Sequence, residues 1–183
     1  EVWKNPRLLR YTPSTVLDKR AIRRPTAPEG QYNHQNVARY AKTLRDKGVS
    51  VHIGAHGQRE GLGSHWELWI MNQGGFTPWE ALRGGTIDGA THLGMDKQIG
   101  SIEVGKLADL MVIDGDVLSD IRRSEFVEYT VLNGRVYEAA TMNEVGSKTK
   151  RKAFFFEQNN QLFMPKETQQ AIDAKAQKHH WVH

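Results

Sequence analysis

The 183-residue chain contains no cysteine, which excludes disulfides, thiolate metal ligands and a cysteine nucleophile. The same absence leaves the redox compartment open. It has no apolar run approaching the roughly 20 residues of a membrane helix, and its mean hydropathy of −0.61 describes a polar chain, so no membrane span is expected. The first residues, EVWKNPRLLRYTPSTVLDKR, lack the apolar centre of a secretory signal, and Glu1 in place of Met reads as a start internal to something longer. Localisation is therefore not legible. Acidic residues fall short of basic ones, 21 against 25, for a net charge of +4. The surplus gathers at residues 19–24 and 148–152, both loop-like, without the surface stripe that marks a nucleic-acid binder. No nucleic-acid partner is expected. At this length the chain is also too short for a complete eight-stranded α/β barrel, which takes about 250 residues.

Four of the six prolines lie in residues 1–32, where no periodicity is sustained; this region reads as irregular, with a turn or two of helix. From Asn33 the pattern changes. Val37, Tyr40, Ala41 and Leu44 fall at i, i+3, i+4 and i+7, one apolar face of a helix that Arg45 and Lys47 suit electrostatically and Gly48 ends. Residues 49–55 alternate, with Val51, Ile53 and Ala55 on one face and His52, Gly54 and His56 on the other. That reads as a strand whose apolar face packs on helices. Its other face carries two histidines and a glycine, an unusual filling for a sheet interior.

A glycine-rich loop follows, carrying Gln58 and Arg59, and Ser64-x-x-Glu67 reads as a capping box opening a helix to about Asn72. Thr77-Pro78-Trp79-Glu80 repeats the signal for a second helix, with Trp79 and Leu82 available for burial, and Thr86 to His92 reads as a third. Beyond residue 97 the period becomes two. Residues 107–113 and 127–132 read as strands, and Asn133-Gly134 turns the latter back into 135–139 as a hairpin. Residues 153–156 and 161–164 have the pattern of another hairpin, and Pro165 opens a terminal helix with a thin apolar stripe. Three regions are expected: a helical part over 1–97, a β-rich part over 98–141 and an extension over 142–183.

The run IGSIEVGKLADLMVID, residues 99–114, resembles the C-terminal signature of the amidohydrolase superfamily, which includes imidazolonepropionase-like and prolidase-like metal-dependent hydrolases. TPWEALR followed by Thr86-Ile87 resembles the helices that precede it there, so that the likeness covers roughly residues 36–138. The resemblance implies an α/β fold: the C-terminal part of a TIM-like (β/α)8 metallohydrolase barrel, with residues 49–56 as its eighth strand, plus part of a composite β-sandwich. It also implies that strands one to seven lie upstream. By the same resemblance the parent hydrolyses a C–N bond of an amide, peptide or cyclic amide in a small-molecule or peptide-like substrate. Its cofactor is a divalent metal, zinc first, in one or two copies, with most ligands outside this chain. Its partners are the remainder of the barrel and, where exposed strand edges associate, further copies of the chain.

In that superfamily the eighth strand ends in Gly-Thr-Asp or Gly-Ser-Asp, the Asp binding metal and taking a proton from the attacking water. Gly54-Ala55-His56 stands in its place. A neutral imidazole can also ligate a metal or act as a base near neutral pH, at the loss of one negative charge. His56 is therefore the candidate metal ligand and catalytic residue, with Gln58, Arg59, His65 and Glu67 as candidate substrate-binding groups. Each has a plainer reading. His56 can be a hydrogen-bonded lumen residue, Arg59 a solvated loop charge, His65 an exposed first-turn residue, and Glu67 only a cap; His52, deeper on the face, reads as structural. At the level of function the plainer reading is a catalytically degenerate binding or scaffold module.

Overall fold

The computed structural model describes residues 5–13, 16, 28–56 and 61–158. In chain order the elements are α1 (Pro6–Tyr11), α2 (His34–Asp46), α3 (Leu62–Gln73), α4 (Pro78–Gly84), α5 (Ile87–His92), β1 (Leu110–Ile113), β2 (Val127–Leu132), β3 (Arg135–Glu138) and α6 (Phe155–Gln158), with 3-10 turns at Glu29–Gln31 and Ile121–Glu125. The backbone divides into two compact units, residues 26–148 and residues 1–25 with 149–183.

Within the larger unit, α2 runs where the spacing places it and stops at Gly48, whose φ of +86° favours glycine. Its buried face is not the expected one. Val37 and Tyr40 are 61% and 76% exposed, while Ala38 is buried and Ala41 packs on the core. The reason is close approach: a Cβ on Gly74, at the end of α3, would fall against the Cβ and backbone of Ala38. Only small residues fit along that contact, so the bulky i, i+3, i+7 positions turn outward. The core itself gathers Leu68, Met71, Phe76, Ala81 and Ile121, with Val51, Ile53, Trp69 and Leu82 packed against it. Phe76 is the largest fully buried side chain, a contribution of about 1.5–3 kcal/mol.

Ser64 and Glu67 do not form a capping box. The preceding turn places Gly61 at the N-cap, with φ +72°, so α3 starts earlier and Ser64 is already its third helical residue. The Thr77–Glu80 box does form: the Thr77 amide donates to Glu80 Oε2 at 2.8 Å and the Glu80 amide to Thr77 Oγ1 at 3.2 Å. Trp79, expected to bury, is 60% exposed; Ala81 and Leu82 of the same helix face the core instead. A charged lattice ties the helices together. Asp88 at the start of α5 accepts from Arg45 of α2 at 2.9 Å and from Arg83 of α4 at 2.6 Å, and Lys42 reaches Glu80 at 3.3 Å.

The strands form one antiparallel meander, β1-β2-β3. Asn133 and Gly134 have φ of +47° and +78°, the two positive values that a tight two-residue turn requires. Register places Leu110, Val131 and Val136 in one row and Val112 beside Tyr129, with an irregularity between Val112 and Ile113. Leu110, Val112, Tyr129 and Val136 of that face are exposed. The sheet joins the helices through the 3-10 turn between β1 and β2, whose Ile121 and Ser124 are buried.

In the other unit Asn5 caps α1, its side chain accepting the Leu8 amide at 3.0 Å, and Leu8 and Leu9 are buried. Arg151 lies 5.5 Å from the Tyr11 ring and 4.7 Å from the Phe154 ring while its fork grips Glu157 at 2.8 and 2.7 Å. Glu157 also accepts the Phe154 amide at 2.6 Å. This curls 155–158 into one helical turn, where a strand over 153–156 was expected. Residues 161–164 and the expected terminal helix lie outside the described residues.

Candidate functional site

The segment 49–56 keeps part of the expected alternation. Val51 and Ile53 pack against the core, while Gly54 and His56 are exposed. It is not, however, hydrogen-bonded as a strand, because no described strand lies beside it. Contacts with the helices hold it. The Ile53 amide donates to the Gly84 carbonyl at 3.2 Å, where a side chain on Gly84 would meet the Val51 carbonyl oxygen at 3.1 Å, so that only glycine lets α4 come this close without displacement. The Gly54 amide donates to Glu67 Oε2 at 2.6 Å. Glu67, read from sequence as a cap, is thus a clamp: α3 projects its carboxylate back onto the end of the segment that leads to His56.

His56 follows in a turn, exposed, with a φ of +52°. The left-handed region costs an L-residue about 1–2 kcal/mol. His65, in the first turn of α3, is half-buried and does not stand alone: its Nδ1 lies 3.2 Å from Ser124 Oγ, and the indole of Trp69, one helical turn on, donates to the same oxygen at 3.0 Å and to the Ile121 carbonyl at 3.1 Å. Gln58 and Arg59 fall outside the described residues. The structure therefore brings Glu67 to the backbone beside His56 and draws His65 toward the turn between β1 and β2. No local pattern in the sequence points to Ser124 or Trp69, since the serine is 59 residues from His65.

Earlier in the segment, His52 packs against His92 of α5, ring centroids 4.3 Å apart at 41°. Both line an open cavity of about 550 Å³ together with Ile53, Ala90, Ile99 and Asp109. Among the described residues no three His, Asp or Glu side chains are grouped as a metal site.

Residues 12–137 match the profile of the amidohydrolase family. This chain belongs to that family. Over 120 residues, 52% of the chain and 28% of the relative, it is 33% identical to a 5-methylthioadenosine/S-adenosylhomocysteine deaminase of Symbiobacterium thermophilum. Over 45 residues, 25% of the chain and 10% of the relative, it is 56% identical to a 5'-deoxyadenosine deaminase of Methanobrevibacter smithii. The chain thus spans under a third of the length of either. Among solved structures, a Xaa-Pro dipeptidase with methionine bound in its active site superposes with a TM-score of 0.53 at 26% identity, over 68% of this chain and 32% of the dipeptidase. What the amidohydrolase chain displays is accordingly an α/β part of a TIM-barrel-like protein. Its Gly-Lys-Leu-Ala-Asp-Leu run, residues 105–110, leads from the helices into β1, and Asp109 there accepts the Asn133 amide at 2.6 Å, locking the hairpin turn to the entry of the sheet.

Proposed function

We propose that residues 49–56 form the last strand of a TIM-like barrel completed by other parts of the same protein, that residues 98–141 belong to a composite β-sandwich, and that the whole protein hydrolyses a C–N bond of a small amide, peptide or cyclic amide. The observation that carries this reading is the presentation of His56: an exposed imidazole, in a left-handed turn, at the end of a segment clamped by Glu67 and Gly84. Backbone strain of this kind concentrates where geometry serves function. In this reading His56 is a metal ligand or the base that takes a proton from water, Glu67 holds the backbone that aims it, and His65, Gln58 and Arg59 contact the substrate. A divalent metal, zinc first, held with His56 among its ligands would supply an activated water and a polarised carbonyl. An imidazole in place of a carboxylate leaves such a site one negative charge poorer, which favours anionic or neutral substrates over cations.

The names of the relatives give the probes: Xaa-Pro dipeptides, whose scissile bond is an amide, and 5'-deoxyadenosine, whose exocyclic C–N bond at an amidine-like carbon tests the same attack by water outside the amide class. The full-length protein, purified without chelator, is expected to contain zinc, manganese, nickel or iron by elemental analysis and to turn over one of these probes. His56→Ala is expected to lower metal content and to cut turnover by at least 10- to 100-fold, the scale on which even the hydrogen-bonding partners of metal ligands act. A second reading, a degenerate binding or scaffold module, draws on the same residue, since the superfamily's aspartate is absent at position 56. A folded, metal-free protein inert toward both probes would decide for it.

A further inference from the structure

We infer that Ser124 is a positioning residue that holds His65 as its Nε2–H tautomer. The donors decide this. The indole Nε1–H of Trp69 can only donate, and it reaches both Ser124 Oγ at 3.0 Å and the Ile121 carbonyl at 3.1 Å. Ser124 is fully buried, so its own hydroxyl proton must find an acceptor within the protein. Among the described residues the acceptor within reach is His65 Nδ1, at 3.2 Å. The hydroxyl therefore donates to Nδ1, Nδ1 carries no proton, and the neutral ring keeps its proton on Nε2. The opposite tautomer would aim two donors, from Trp69 and from Nδ1, at one oxygen while leaving the serine proton buried without an acceptor, which is the costly arrangement.

The direction of the chain Trp69 to Ser124 to His65 has a consequence for the site. Ser124 comes from the turn between β1 and β2, and His65 from the first turn of α3, two residues before the clamp residue Glu67. The sheet region thus sets the hydrogen-bonding character of a helix residue read as substrate-binding, fixing the ring proton of His65 on Nε2. For catalysis this rests on the reading of His65 as a substrate-binding group; the tautomer itself does not.

The test uses the full-length protein labelled with 15N-histidine, with His65→Gln identifying the signal. Near neutral pH a long-range proton–nitrogen correlation is expected to show His65 Nδ1 at the frequency of an unprotonated ring nitrogen and Nε2 at that of a protonated one. Ser124→Ala is expected to move both toward the averaged values of exchanging tautomers. The variant keeps the Trp69 bond to the Ile121 carbonyl, so the helix contact survives. Should it fail to fold, the wild-type spectrum alone still decides: a protonated Nδ1 overturns the inference, as does a His65 signal unmoved in a folded Ser124→Ala. In the kinetic arm, Ser124→Ala is expected to lower kcat/KM for a Xaa-Pro dipeptide or 5'-deoxyadenosine about fivefold, the scale of one hydrogen bond. If wild type turns over neither, the hydrolase reading fails while the tautomer result stands.

Discussion

At the residue scale the informative side chain is Glu67. Its spacing from Ser64 fits a capping box, and its true partner, the Gly54 amide, lies 13 residues back along the chain. Sequence spacing recognises contacts between neighbours on one helix; it has no access to a carboxylate reaching across to another segment. His56, His65 and Glu67 were legible as candidates because polar residues clustered around a glycine-rich loop between an alternating stretch and a helix. Their partners were not legible, since Ser124 and Trp69 meet only after the chain has folded. The clamp makes a prediction. In Glu67→Ala, hydrogen-exchange mass spectrometry resolved to single amides is expected to show Gly54 exchanging about tenfold faster, as the loss of a hydrogen bond to a charged group implies. The Ile53 amide, bonded to the Gly84 carbonyl, is expected to keep its protection. Equal acceleration at both positions would mean that Glu67 supports the whole segment and does not clamp its end.

At the element scale, helix positions were readable from their caps and glycines, and the hairpin from Asn133-Gly134, because these signals act within a few residues. The buried face of α2 is not the one its periodicity picks out. Periodicity ranks faces by hydrophobicity, whereas here the distance of approach at Gly74 selects the alanine face. The charged lattice among α2, α4 and α5 gives these elements a pH dependence. Burial pushes the Asp88 carboxyl upward, but hydrogen bonds from Arg45 and Arg83 outweigh it and hold the group below its ordinary value. The Thr77 amide, and then Lys42, hold Glu80 below its ordinary value against burial. Both carboxyls therefore release protons more readily folded than unfolded. Their stabilisation is present above the ordinary carboxylate range of about 3.9–4.3 and is lost as pH falls through the lower, folded values. Thermal unfolding followed by circular dichroism is expected to shift to lower temperature on acidification below about pH 4. Asp88→Asn is expected to unfold at lower temperature near neutral pH and to lose part of that acid response; a profile parallel to wild type would remove Asp88 from the account.

At the scale of the whole molecule the chain is polar on average, yet its apolar residues are unevenly placed. One face of the sheet, with Leu110, Val112, Tyr129 and Val136, and the outer face of α2, with Val37, Tyr40 and Leu44, are exposed. Mean hydropathy could not show this, because it sums residues without regard to face. Contiguous apolar surface of this kind marks an interaction site or a route to association. On the reading proposed above, these faces would be packing surfaces for the rest of the protein. Expressed by itself at tens of micromolar, the 183-residue chain is expected to scatter light as oligomers larger than its 20.8 kDa and to bind a hydrophobic dye. Tyr40→Lys combined with Val136→Lys is expected to reduce both signals in the isolated chain. In the full-length protein the same pair is expected to act in the opposite sense, costing about 1.5–3 kcal/mol for each side chain whose burial is lost, read as a lower midpoint of urea unfolding. The sign of the effect separates the two contexts. A monodisperse, dye-silent monomer of the isolated chain, or a full-length protein indifferent to the substitutions, would show that these faces meet water in the native protein and that the barrel is not completed across them.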